Sequence, residues 1–240
     1  MRILVVNDDG VKSPHLETIV KVASRYGLVY VAAPIEHQSA TSHAITISNR
    51  IEVDENVFIP NSEKTIAVGG FPADCVRLGV ALFEHNFDLV ISGLNEGLNI
   101  STDVLYSGTV AAAREANILG LPALAISTDR GYNPNIENYV AMVLDEVIGN
   151  KLYEKYKLLN ANIPRVEQIK GIKYTHQGMR LYHAEFTKIP DSNDYKITYS
   201  LMIYDEGPDA DSTKLDEDYI VITPLSIDQT NYEELKSLKK

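Results

Sequence analysis

Residues 3–10 read ILVVNDDG, and this stretch constrains the fold more than any other. Ile3-Leu4-Val5-Val6 is apolar without a break; the chain then turns polar at Asn7-Asp8-Asp9 and breaks at Gly10. A strand that is apolar on both faces has to be covered on both. That situation belongs to a parallel sheet with helices on either side. In open sheets of this kind, ligands bind in the crevice beyond the carboxyl ends of the strands, and Asp8 and Asp9 stand at such an end. Adjacent carboxylates repel each other, so two of them at a crevice point to a cation that satisfies both. The alternative is that Asp8 caps the next helix and Asp9 faces water, since Asp is common in turns.

The following segments supply the connections that parallel strands require. Ser13-Pro14 combines a capping residue with a proline suited to the first helical turn. Leu16, Ile19, Val20 and Ala23 recur at i, i+3, i+4 and i+7, and Gly27 ends the helix. Leu28 to Ala33 is a second buried strand. Strand, helix and strand with short joins make a βαβ unit, so the two strands are parallel. Further strands are expected at Thr65–Val68, Phe87–Ser92, Ala123–Ser127 and Leu159–Ile163. Helices are expected over Asp74–Phe83, with Cys75, Leu78, Gly79 and Leu82 on one face, over Thr109–Leu119, and through Val140, Val143, Leu144, Val147 and Ile148. Ile45–Val53 alternates and is expected to form a hairpin with Asn56–Ile59. After Gly149-Asn150 the pattern changes. Gly171–Thr175, Lys196–Tyr204 and Tyr219–Thr223 read as strands with polar alternation, separated by charged turns, and the Lys236–Lys240 tail reads as frayed. The expectation is an α/β fold: a doubly wound, mostly parallel core over residues 1–165, then a strand-rich extension over 166–240.

With 240 residues the chain can bury a full core without staples, and its single cysteine, Cys75, excludes an internal disulfide. Met1-Arg2 leads straight into the first strand with no signal-peptide pattern, and no apolar run approaches the ~20 residues of a membrane span. Composition therefore predicts a cytoplasmic protein. A formal net charge of −11 argues against binding a nucleic-acid duplex, which needs Lys and Arg stripes. It would also repel an anionic substrate unless a metal or a helix dipole neutralises the site locally.

The loops leaving the strand ends carry oxygen donors: Asp8 and Asp9 in the first, Ser39 in the second, then Asn95, Asn99 and Ser107-Gly108-Thr109 in the long loop after Ser92. Loops of that length inside a compact domain are usually functional. Carboxylate, amide and hydroxyl oxygens without HxxxH or CxxC spacing suit magnesium, manganese or calcium rather than zinc. Ser107-Gly108-Thr109 opens a helix of small residues and reads either as an anion site or as a simple cap. No GxxxxGK[ST], GxGxxG after a strand, or GxSxG is present, which removes support for triphosphate and dinucleotide folds and for a hydrolase elbow. Of six histidines, His37 and His43 lie in the second loop and are candidates to touch substrate; His15, His85, His176 and His183 carry no functional signal.

Taken in order, ILVVNDDG, SATSHAIT, GGFPADCVRLG, DLVISGLNEGLN, DVLYSGTVAAAREA and GLPALAIS strongly resemble the SurE survival protein family of nucleotidases. LNANIP and DEGPDADS…DYIVITPLSID extend the resemblance over nearly the whole chain. It implies a Rossmann-like core, a C-terminal arm exchanged in a homodimer or homotetramer, and metal-dependent hydrolysis of nucleoside 5′- and 3′-monophosphates, in some members also of short polyphosphate. It also implies one divalent ion per subunit, magnesium or manganese, on Asp8, Asp9, Ser39 and Asn95. Phosphate contacts carry over to Ser107, Gly108 and Thr109 beside Ser39 and Asn95, with Asp8 or Asp9 acting on the attacking water. Phe71 stands where the family usually has threonine, and Ser101-Thr102 and Ala161 also depart from the common pattern. Two other readings stay open. A receiver-like magnesium module would need an Asp after the third strand, where this chain has Ser92-Gly93-Leu94-Asn95. A non-catalytic assembly protein would use the long extension.

Overall fold

The computed structural model describes residues 1–84, 86–202 and 206–239. The chain runs β1 (Arg2–Val6), α1 (Pro14–Ala23), β2 (Leu28–Pro34), β3 (Val53–Asp54), β4 (Lys64–Val68), α2 (Pro72–Leu82), β5 (Leu89–Glu96), α3 (Asp103–Tyr106), α4 (Gly108–Ile118) and β6 (Ala123–Thr128). It continues through α5 (Ile136–Leu144), prolonged by a π-turn over Asp145–Gly149, then α6 (Leu152–Lys155), β7 (Leu158–Ile163), β8 (Ile172–Tyr174), β9 (Leu181–Lys188), β10 (Tyr195–Met202), α7 (Asp211–Asp216), β11 (Ile220–Pro224) and α8 (Tyr232–Leu238). Among the described residues no helix is long and apolar enough to cross a membrane.

Nine strands form one sheet in the order β3-β4-β2-β1-β5-β6-β7-β11-β8. The six from β4 to β7 are mutually parallel. β3 and β11 run antiparallel to β4 and β7, and β8 runs parallel to β11. The apolar run of β1 explains its central place: Ile3 through Val6 are wholly buried. Their pleat feeds two cores. Ile3 and Val5 join α1 and α5 on one face, and Leu4 and Val6 join Cys75, Val76 and the alanines of α4 on the other. Small residues on α2 and α4 let these helices approach closely; a Cβ on Gly79 would lie 3.0 Å from Leu4. Strand order reverses at β1, with β2 on one side and β5 on the other. The crevice of an open α/β sheet therefore lies beyond the ends of β1 and β5.

Several expectations are corrected. The hairpin of Ile45–Val53 with Asn56–Ile59 does not form; only Val53–Asp54 is strand, and it pairs with β4. Loop Ile35–Glu52 has too few covered apolar residues to stand as a sheet edge, and Ile47 is largely exposed. The long loop after Ser92 is more regular than its glycines and asparagines suggest, since β5 continues to Glu96 and α3 makes a turn. The tail is helical from Tyr232, capped by Asn231, although none of α8 is buried. Strand β9 carries no alternation of covered and exposed positions, because both of its faces are polar or exposed. The end of the expected strand Lys196–Tyr204, at Ile203 and Tyr204, lies outside the described residues, as does His85.

Candidate active site

The crevice is built by tying three loops to the end of β1. Gln38 donates its backbone N–H to the carbonyl of Asp8 (2.8 Å), and Val11 donates to Pro34 (2.8 Å), which holds the loop after β2 against the loop after β1. Ser42 donates to the carbonyls of Tyr106 and Leu105 (3.0 and 2.8 Å), joining that loop to α3. From β5, Glu96 donates its N–H to Asp9 Oδ2 at 3.4 Å. Pairing between β5 and β6 shifts register between Ser92 and Asn95, a bulge of the kind that re-aims a side chain at a strand end. Gly93 makes this possible, with φ +144° and the carbonyl of Ile126 2.3 Å from where a Cβ would stand.

Asp8 is 5% exposed and accepts one side-chain hydrogen bond, from Thr109 Oγ1 at 2.7 Å. Burial pushes its carboxyl up to about 6, with the neighbouring Asp9 adding to the rise against the Thr109 bond. Asp9 is also raised, again chiefly by burial. Among the described residues no Lys or Arg pairs with either; the basic group within ion-pair distance is His37, whose Nδ1 lies 3.3 Å from Asp9 Oδ1. Next to them Asn7 Oδ1 is buried without a partner among the described residues, its amide nitrogen spent on the carbonyl of Gly10 (2.9 Å). Two carboxylates that stay desolvated and unpaired with any fixed cation at neutral pH suit a bound hard cation.

The other expected ligands lie on the two segments that reach Asp9 through His37 and Glu96. Ser39 hydrogen-bonds through Oγ to His37 Nε2, and the same ring reaches Asp9, so Ser39 and Asp9 are linked through His37. Asn95 donates Nδ2 to the carbonyl of Gly97 (2.6 Å), leaving its amide oxygen as the atom that can serve a cation. Among the described residues no three His, Cys, Asp or Glu groups converge on one point, so a complete shell needs the serine and amide oxygens as well as the two carboxylates.

The start of α4 abuts the carboxylates. A Cβ on Gly108 would lie 3.1 Å from both Cβ and Oδ2 of Asp8, so the backbone comes as close as a residue without a side chain permits. Ser107 Oγ accepts from the Val110 N–H at 3.0 Å and caps the helix, while Thr109 Oγ1 is committed to Asp8. Both hydroxyls thus have a structural task. What remains for an anion is the pair of N–H groups of Gly108 and Thr109, which have no intrahelical acceptor, and the positive end of the helix dipole.

Two residues that the sequence put forward take other roles. His43 contacts Glu115 of α4 through Nε2 at 2.9 Å rather than the carboxylate pair. Asn99 is a buried strut: its N–H donates to Asn162 Oδ1 and its Nδ2 to Ser127 Oγ (both 2.8 Å), fixing the long loop to β6 and β7.

The chain and its fold have counterparts in known proteins. The family model for survival protein SurE matches residues 3–184. The chain is 39% identical to the 5′-nucleotidase SurE of Petrotoga mobilis, an alignment covering 100% of this chain and 98% of that one. It is 36% identical to the 5′-nucleotidase SurE of Clostridium botulinum, with 100% and 99% covered. The crystal structure of the SurE protein from Aquifex aeolicus matches with a TM-score of 0.82 at 34% identity, covering 100% of this chain and 98% of that one. A match in sequence over the whole chain, with the same fold, makes the chain a member of the SurE family.

Proposed function

We propose that the chain is a divalent-metal-dependent 5′-nucleotidase that hydrolyses nucleoside 5′- and 3′-monophosphates to nucleoside and phosphate, with short polyphosphate as a second substrate. The observation that carries this reading is the desolvated Asp8–Asp9 pair lying against the open N-terminus of α4. Cation donors and an anion cradle then share one crevice, as phosphate-monoester hydrolysis in an acidic protein requires. Asp8, Asp9, Ser39 and Asn95 hold one magnesium or manganese ion per subunit. When bound, the ion neutralises phosphate and lowers the pKa of water. The Gly108 and Thr109 N–H groups bind the phosphoryl oxygens, Ser107 holds these N–H groups in place as the cap, and Thr109 fixes the rotamer of Asp8. Asp9 accepts the proton of the attacking water, and His37 keeps Asp9 oriented.

Residues 1–165 act as the catalytic core and 166–240 as an extension for assembly as a homodimer or homotetramer, in the cytoplasm. Support comes from the β9–β10 hairpin, whose Phe186, Tyr195 and Tyr199 are more than half exposed although an isolated two-stranded hairpin is marginal in water. The test is a panel of ribo- and deoxynucleoside monophosphates, sugar phosphates and tripolyphosphate with each metal. Nucleotides should release phosphate, EDTA should abolish release, and added metal should restore it. Turnover of sugar phosphates alone would remove the nucleotidase assignment.

A further inference from the structure

On the α1 and α5 side of the sheet, next to Asp9, a cavity of about 320 Å³ opens between the start of α1, the end of β5 and the loop from β6 to α5. Pro14, His15, Glu96, Thr128, Tyr132 and Asn133 line it. Two of the lining residues carry buried polar groups without a partner among the described residues. Asn133 is 6% exposed; its Oδ1 accepts from the Asn135 N–H at 3.0 Å, which fixes the amide and leaves Nδ2 buried without a partner among the described residues. Thr128 is 1% exposed and its Oγ1 is likewise without a partner. Unpaired buried donors are costly, and a ligand that supplies acceptors removes the cost. At the lip, Tyr132 is 86% exposed, an aromatic ring with nothing packed over it. Glu96 accepts the Gly131 N–H through Oε1 at 3.1 Å, which holds its carboxylate at the mouth, and its own N–H reaches Asp9.

We infer that this cavity is the nucleoside subsite: the base stacks on Tyr132 with an acceptor edge toward Asn133 Nδ2 and Thr128 Oγ1, and the ribose hydroxyls donate to Glu96. This rests on the nucleotidase reading and adds where the leaving group sits. The chemistry selects a flat heterocycle. Stacking needs only a π-face, the lining offers donors, and an acceptor-only carboxylate recognises hydroxyls. The volume lies at the small end of ligand pockets and admits a base. Glu96 also makes the cavity unfavourable for an anion. The substrate then straddles the sheet edge, with phosphate on the α4 side, sugar beside Asp9 and base on the α1 side.

The test compares kcat/KM for adenosine 5′-monophosphate with kcat/KM for p-nitrophenyl phosphate, both with manganese, in wild type, Tyr132→Ala and Asn133→Asp. Tyr132 is exposed, so its loss does not threaten the fold; Asn133→Asp keeps the acceptor for Asn135 and removes the donor. The ratio of nucleotide to nitrophenyl ester should fall about tenfold in each variant, mainly through KM. A general structural defect lowers both activities and leaves the ratio where it was. A ratio unchanged in both variants overturns the subsite and leaves the nucleotidase reading standing. A wild type that hydrolyses the nitrophenyl ester but no nucleoside monophosphate overturns both.

Discussion

Asp8 and Asp211 are both buried carboxylates, 5% and 0% exposed, set in opposite surroundings. Asp211 accepts the N–H groups of Ser101 (2.9 Å), Gly178 (3.0 Å) and Ser212 (2.8 Å) and the hydroxyl of Ser101 (3.2 Å). It thereby clamps the loop after β5, the segment before β9 and the start of α7 into one node. Among the described residues Asp8 has a single side-chain donor, a second carboxylate beside it and an unpartnered amide oxygen nearby. One charge is fully solvated by the protein. The other is left for something the chain does not provide. Burial alone therefore does not mark a site; burial with missing donors does.

The comparison predicts opposite responses to the same substitution, and this is the largest expected effect. Asp8→Asn should lower nucleotide hydrolysis at least about 10³-fold, roughly 4 kcal/mol of transition-state stabilisation. The same variant, metal-free at pH 7, should be as stable as wild type or more so, because Asn keeps the acceptor for Thr109 and removes a desolvated charge. Asp211→Asn should cost about 3 kcal/mol in stability by turning an amide N–H₂ toward backbone donors. Urea denaturation in EDTA beside an activity assay separates them. If Asp8→Asn destabilises as Asp211→Asn does, Asp8 is a structural clamp and the contrast collapses.

The parts of this picture that sequence could carry are those with short-range signatures. The continuous apolar runs of β1 and β2, the i, i+3, i+4 face of α1 and the small residues of α4 each report their own burial. Asp8, Asp9, Ser39 and Asn95 were legible as polar residues just beyond such runs, and the family motifs narrowed them. What escaped depends on long-range partners. Thr109 reads as a cap or a phosphate contact, and only folding brings its hydroxyl to Asp8 across 101 positions. The Asp211 node joins residues from three segments and has no local pattern. Tyr132 and Asn133 sit in a turn-rich loop whose composition reads as connector, so the cavity below them left no mark. The exposed hairpin β9–β10 hid its first strand because neither face is covered within the chain.

A second prediction sharpens the contrast through pH. A carboxyl raised to about 6 binds its proton more tightly when folded than the ordinary 3.8 of the unfolded chain. The folded state then holds more protons between these values, so Asp8 lowers metal-free stability as pH rises from about 4 to about 6, and the penalty persists above that. The ceiling is about 3 kcal/mol from a shift of this size. Asp8→Asn should flatten the wild-type decline in EDTA. With manganese present the dependence should reverse, since the metal binds the ionised form and stabilises more as the carboxylates deprotonate. Equal pH profiles for variant and wild type in EDTA would mean that Asp8 carries no such penalty.

The smallest effect tests how far the crevice extends, using two histidines of one loop. His37 bridges Ser39 and Asp9, whereas His43 sits on Glu115 at 2.9 Å, a carboxylate 8% exposed that Arg77 Nε also reaches at 3.6 Å. His37→Ala removes the group that orients Asp9 and should lower kcat about tenfold with little change in stability, since the ring is on the surface. His43→Ala removes a half-covered hydrogen bond to a carboxylate that keeps a second partner. It should cost about 1 kcal/mol in stability and leave kcat within about twofold of wild type. Steady-state kinetics on both variants, with thermal melts as control, check the pair. Should His43→Ala lose as much activity as His37→Ala, the C-terminal half of α4 is coupled to catalysis through Glu115. The boundary between the liganding region and its scaffold would then move outward by one helix.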